Sequence, residues 1–292
     1  MNTPNRLHSL LKKLDPYFRL MRLDRPIGTL LLLWPTLWAL WVASAGFPRL
    51  KTLVVFILGV FLMRSAGCVI NDIADRNIDG HVARTRRRPL VRNEIPVKYA
   101  YALFVGLLLL AATLLLLLSP LTVKLAFIAA FFAVTYPFMK RYTWLPQVYL
   151  GVAFAMAIPM AFAEVQGTVP AEAWLLFIAA ILWTTAYDTI YALIDRPYDI
   201  KLGIKSSAIL FGELDRVITG IIQALFLFVM LLLGLKLQLG GWYYLGLTTA
   251  AALFAWQLII IEERDPDQCF RAFLSNNWVG MAVFIGLLAS YL

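Results

Sequence analysis

Long apolar runs separated by short polar ones organise the whole chain. Stretches near 26–46, 52–70, 97–118, 121–138, 146–163, 172–190, 217–237, 241–261 and 276–292 lack regular polar alternation. Each approaches the roughly 20 residues that a helix needs to cross a hydrocarbon core about 30 Å thick. The pattern predicts an all-α polytopic membrane protein with nine transmembrane helices. Only Ser119-Pro120 separates the third stretch from the fourth, and the last is short, so eight spans remain open. A mean hydropathy of +0.77 with 15% charged residues excludes a soluble globular protein.

Residues 4–25 behave differently. Leucines alternate there with Arg6, Lys12, Lys13, Arg19, Arg22 and Arg25, as in an amphipathic helix lying on an anionic bilayer surface. The segment has no apolar core of its own, so no cleavable signal is expected. With the N-terminus inside and nine spans, 21 of the 26 Lys and Arg residues fall on the cytosolic side. Arg49, Lys51, Lys124 and Lys236 fall outside, and Arg64 lies within the second span. The net charge of +9 is therefore a topology signal and gives no reason to expect nucleic acid, because the basic residues are spread over five loops. Two cysteines and two histidines exclude a disulfide framework and argue against a thiolate or histidine metal centre.

Against this apolar background stand two aspartate clusters, each where a span runs out on the cytosolic side. The first is Asn71-Asp72-Ile73-Ala74-Asp75-Arg76-Asn77-Ile78-Asp79; the second holds Asp188, Asp195 and Asp199. Carboxylates this dense repel one another unless a cation shares them, and hard oxygen ligands beside a phosphate site suit Mg²⁺. On a helix, Arg64, Asn71, Asp75 and Asp79 fall at about 0°, −20°, 20° and 60°, one narrow stripe, with Asp72 at its edge near 80°. Three oxygen donors then line up above a buried guanidinium, an arrangement that in a membrane reads as functional. Asp188, Tyr191 and Asp195 share a face of the sixth span. Pro197 is expected to break that helix near Arg196 and start a new one, which leaves Asp199 less surely aligned than Asp195. Asp75 and Asp195 are 120 residues apart, which suggests four helices repeated twice around a central cavity. No linker divides the chain, so residues 1–292 read as a single transmembrane domain behind the 1–25 segment.

Basic residues flank both clusters. The run Arg84-Thr85-Arg86-Arg87-Arg88-Pro89 has a sufficient explanation in topology, yet one of its arginines could close over a phosphate; spacing does not say which. Lys140 and Arg141 end the fourth span, and Lys201 and Lys205 follow the second cluster. Each is either a headgroup contact or a substrate contact. One Asp-rich membrane family drops out here. Asp79-Gly80-x-x-Ala83-Arg84 starts like the CDP-alcohol phosphotransferase motif, but Asn93, Val97 and Tyr101 stand where that motif needs a glycine and two aspartates.

Taken together, Asn71-Asp72-x-x-Asp75-x-x-x-Asp79 with Arg84-Thr85-x-x-Arg88-Pro89, and Tyr187-Asp188-x-x-Tyr191-x-x-x-Asp195-x-x-x-Asp199, resemble the two motifs of UbiA-type intramembrane prenyltransferases. The segments Arg25–Trp38 and Gly203–Gly212 look like those of members that prenylate 4-hydroxybenzoate in ubiquinone synthesis. The resemblance covers roughly 17–217. It departs at Val91-Arg92-Asn93, where a Pro-Ser-Gly type of turn is usual, and at Pro197. Asn93 can take a left-handed turn conformation nearly as glycine does.

The resemblance implies nine helices around a cavity open to lipid, in a bacterial inner membrane, with the aspartate motifs facing the cytosol. It implies two Mg²⁺ ions, one held by Asn71 and Asp75 and the other by Asp195 and Asp199, with Asp79 also in the ligand region. A polyprenyl diphosphate would lay its tail in an apolar groove while the metals and Arg64 neutralise the leaving group. Arg141 would fix the benzoate carboxylate, and Asp195 would hold metal, polarise the phenol, or both. Lys140, Lys205 and Tyr191 complete the expected substrate contacts. Two other readings stay open: the same fold with haem, homogentisate or a naphthoate as acceptor, and a cation-coupled transporter. The second is disfavoured because its acids would sit near mid-membrane.

Overall fold

A computed structural model describes residues 6–81 and 84–292, with side chains from residue 12 onward. All regular structure among these residues is helical, and nine helices or helix pairs are long and apolar enough to cross a membrane. A surface helix, α1 (Arg6–Leu20), comes first. Residues 4 and 5 of the expected amphipathic segment, and the side chains of its first turns, lie outside the described residues. The spans are α2 (Ile27–Ser44), α3 (Leu50–Asp75), α4 (Val97–Leu115), α5 (Pro120–Met139), the pair α6 (Pro146–Ala155) and α7 (Ala157–Gln166), and α8 (Ala171–Leu202). They continue with the pair α9 (Ser207–Phe211) and α10 (Asp215–Lys236), then α11 (Gly241–Ile260) and α12 (Pro266–Ser290).

Hydrophobic residues surround most spans because lipid, not water, faces their outer sides. Two buried tryptophans with satisfied N–H groups lie at the centre of the packing. Trp38 and Trp183 are fully buried with ring centroids 5.1 Å apart. Their indole N–H groups donate to the Gly280 carbonyl at 3.1 Å and to Asn276 Oδ1 at 3.0 Å. Pro159 removes a backbone donor, and the fifth span accordingly divides at Met156 into α6 and α7.

Three sequence expectations change. Pro197 does not break α8, which runs on to Leu202. The lost hydrogen bond is tolerated because both flanks are anchored. Arg196 donates to Asp215 at 3.1 Å, Gly203 caps the helix at φ +68°, and the Lys205 N–H donates to the Lys140 carbonyl at 2.9 Å. The last span is not short: α12 begins at Pro266, capped by Asp265, and buries Cys269. Conversely, α3 stops at Asp75. After a turn, Asp79 opens a short 3₁₀ helix, Asp79–His81, so the straight stripe ends before it. Asn77, a poor helix former, lies in that turn. Asn93 does adopt the left-handed conformation, at φ 55°, which closes the turn leading into α4.

Candidate active site

The ends of α3 and α8 face one another across a polar cavity of about 170 Å³. Asn71, Asp75 and Asp79 line it from the first cluster, and Asp188, Tyr191, Asp195 and Asp199 from the second. Because α8 stays helical through Pro197, steps of seven, four and three residues keep its four contributors on one face. Lys140 and Lys205 also reach this wall. The cavity adjoins a larger, mainly apolar one of about 760 Å³ that runs along α2, α3, α4 and α5. Six residues line both: Asn71, Arg84, Arg88, Tyr136, Asp188 and Tyr191.

Most carboxylates are held by cations. Asp75 accepts from Lys140 Nζ at 2.5 Å. Asp195 accepts from Arg84 Nη2 at 2.5 Å and Nε at 3.3 Å. The Arg84 guanidinium lies 4.6 Å from the Tyr191 ring centroid and also donates to the Tyr191 hydroxyl. Arg88 sits between Asp79 at 2.6 Å and Asp72 at 2.9 Å. Asp72 also accepts from Arg22 at 2.8 Å and is buried, so it ties the turn after α1 to the motif and stays out of the polar cavity. Burial raises the Asp79 carboxyl to about 6, with Arg88 pulling the other way. Burial works against the charged form of Arg84, but Tyr191 and Asp195 outweigh it and leave its pKa above the usual arginine value.

Arg64 lies in the larger cavity, 6.0 Å from the Phe154 ring centroid. Its buried Nε has no hydrogen-bond partner. Gly28 makes room for it, since a Cβ there would stand 2.2 Å from Arg64 Nη2. An unpaired guanidinium at this depth is costly without a ligand. Lys205 lines the polar cavity while donating to the Tyr142 carbonyl at 3.1 Å. Arg141 departs from expectation. It is exposed, donates to the Ala74 carbonyl at 2.9 Å, and borders neither cavity. Its direction is set by the free carbonyls at the end of α3. Of the arginines after the first motif, Arg84 and Arg88 border both cavities, whereas Arg87 and Arg92 border the larger one alone.

The donor set suits Mg²⁺. Every candidate ligand offers oxygen, and Asp75 Oδ1 is buried without a partner. Among the described residues no three His, Cys, Asp or Glu side chains converge on one point. The described residues alone therefore form no closed cage. Two ligands per ion, with substrate oxygens and water completing the shell, is the usual manner of Mg²⁺ binding beside phosphate. Asn71 and Asp75 on one side of the polar cavity, and Asp195 and Asp199 on the other, offer oxygen pairs of that kind.

A family model described as UbiA prenyltransferase family matches residues 32–285. The chain belongs to this family. It is 57% identical over 272 residues to a 4-hydroxybenzoate octaprenyltransferase of Alkalilimnicola ehrlichii, covering 93% of each chain. It is 55% identical over 275 residues to one from Pseudomonas aeruginosa, covering 94% of this chain and 93% of the relative. The apo structure of a UbiA homolog from Aeropyrum pernix K1 superposes with a TM-score of 0.80 at 22% identity, over 91% of this chain and 99% of that one. A UbiA homolog from Archaeoglobus fulgidus, bound to GPP and Mg²⁺, does so with a TM-score of 0.67 at 17% identity, over 94% and 99%. The fold is that of an intramembrane prenyltransferase.

Proposed function

We infer that the enzyme transfers a polyprenyl group from polyprenyl diphosphate to the ring carbon ortho to the hydroxyl of 4-hydroxybenzoate, a membrane step of ubiquinone synthesis. One observation carries the chemistry: a polar cavity walled by two aspartate motifs opens directly into a long apolar one. A diphosphate and its isoprenoid tail need those two environments side by side. The names of the relatives point to an eight-unit tail.

Bound between Asn71 and Asp75 and between Asp195 and Asp199, Mg²⁺ would supply positive charge to the leaving diphosphate. The chain's own residues do the rest. Lys140 and Arg84, already aimed into the cavity, can turn from carboxylate to phosphate oxygens as the donor enters. Arg64 lends charge from the apolar side. The tail fills the larger cavity and excludes water, so the allylic cation meets the aromatic ring and not a hydroxide. Tyr136, Tyr187 and Tyr191 present π-faces near its path. We place the motifs on the cytosolic face of a bacterial inner membrane, on the strength of the Lys and Arg distribution.

The test is to incubate membranes containing the enzyme with labelled 4-hydroxybenzoate, octaprenyl diphosphate and Mg²⁺, with and without EDTA. An ortho-prenylated product that vanishes with EDTA and returns with Mg²⁺ is expected. Product formation only with homogentisate, a naphthoate or haem would overturn the acceptor assignment. Turnover insensitive to EDTA would overturn the metal assignment.

A further inference from the structure

Asp188 is the one carboxylate among the described residues that borders both cavities. It is half-buried within an otherwise buried stretch of α8, Trp183–Ile190. That exposure is towards the cavities it lines. Its neighbours in the motifs are engaged: Asp72 by Arg22 and Arg88, Asp75 by Lys140, Asp79 by Arg88 and Asp195 by Arg84. Asp188 has no ion pair or hydrogen bond with any described residue. Asp199 shares that freedom but lines the polar cavity alone and does not border the apolar one. Arg64 borders the larger cavity together with Asp188, yet the two form no ion pair.

An unpaired carboxylate and an unpaired guanidinium held apart in one membrane cavity store an unfavourable arrangement. The reaction has a use for it. When the allylic C–O bond breaks, diphosphate leaves with the electron pair. The ring carbon ortho to the hydroxyl then forms the new C–C bond, and the ring carries a positive charge until it loses the hydrogen at that carbon. This happens where the donor's reactive carbon lies, at the junction of the polar and apolar cavities. We propose that Asp188 is the proton acceptor of this step: the C–H bond breaks, its electrons restore the aromatic ring, and the proton passes to the Asp188 carboxylate. The assignment rests on the prenyl transfer inferred above.

The experiment separates ionisation from proton loss. Wild type and Asp188→Asn are compared in three assays: transfer to 4-hydroxybenzoate, Mg²⁺-dependent hydrolysis of the polyprenyl diphosphate without acceptor, and transfer with acceptor deuterated ortho to the hydroxyl. Transfer should fall about 100-fold or more, while hydrolysis stays within about threefold. The isotope effect should rise from near unity to about 2 or more, as proton loss becomes rate-limiting. Hydrolysis falling in step with transfer would overturn the proposal and assign Asp188 to the ionising step. So would unchanged transfer with an unchanged isotope effect. Asp188→Ser is run beside it, with Mg²⁺-dependent diphosphate binding as the check of folding. If both variants lost that binding, Asp188 would be a structural or ligand residue and the proposal would fall. Failure of the wild type to prenylate 4-hydroxybenzoate would sink the functional reading instead.

Discussion

Arg84 grips Asp195 through two contacts, Nη2 to Oδ2 at 2.5 Å and Nε to Oδ1 at 3.3 Å, and so joins the loop after the first motif to the second motif. A proposed metal ligand is thereby held as half of an ion pair until substrate arrives. Arg84→Lys keeps the charge and loses the two-pronged geometry. A charge-assisted hydrogen bond is worth about 1.5–3 kcal/mol, so kcat/KM for the polyprenyl diphosphate should fall about 10- to 100-fold. Initial rates at varied donor concentration measure this. An unchanged kcat/KM would reduce Arg84 to a loop fastener.

Asp75→Asn and Asp195→Asn remove charge at nearly constant shape. Each is predicted to abolish turnover with insertion and folding intact. A residual rate above about a tenth of wild type, less than about 1.4 kcal/mol in the barrier, would remove that residue from the metal site. Asp199→Asn should be as damaging as Asp195→Asn, because unbroken α8 keeps both on one face. A clearly milder loss would show that Asp199 does not share the ion.

Gly28→Ala places a methyl group 2.2 Å from Arg64 Nη2. The guanidinium is the mobile end of a long side chain, so it should shift while the helices stay packed. Turnover is expected to drop about tenfold or more, with a change in melting temperature of only a few degrees, within the about 1–3 kcal/mol typical of overpacking. Activity assays with thermal denaturation of the purified enzyme decide it. Full activity would mean that Arg64 serves the site from more than one position.

Arg141 touches the Ala74 carbonyl at the end of α3, beside Asp75. Arg141→Ala is therefore predicted to lower kcat severalfold through the position of the first motif, with both KM values nearly constant. A rise in KM for 4-hydroxybenzoate alone, about 10- to 100-fold, would put Arg141 in the acceptor pocket that the sequence suggested.

The sequence by itself determined the parts of this protein that depend on local pattern. The polytopic helical architecture follows from apolar length, because a helix must be long enough to cross the bilayer with its backbone bonds satisfied, although the choice of nine spans over eight came from the full length of α12. The placing of Asn71 and Asp75 on one face of α3, and of Asp188, Tyr191 and Asp195 on one face of α8, follows from the helical repeat. Even the left-handed turn at Asn93 was readable from side-chain sterics. Only tertiary structure decided the rest. Pro197 has a local cost, but Asp215 and the Lys140 carbonyl, from other elements, hold α8 together around it. Asp79 leaves the stripe because the chain turns after Asp75 and Arg88 takes its carboxylate. The choice of Arg84 and Arg88 from a run of arginines, the turning of Arg141 away from the cavities and the fit of Arg64 over Gly28 are contacts between segments far apart in the chain. Helical periodicity fixes a direction about one axis; it cannot say what another helix brings to meet it.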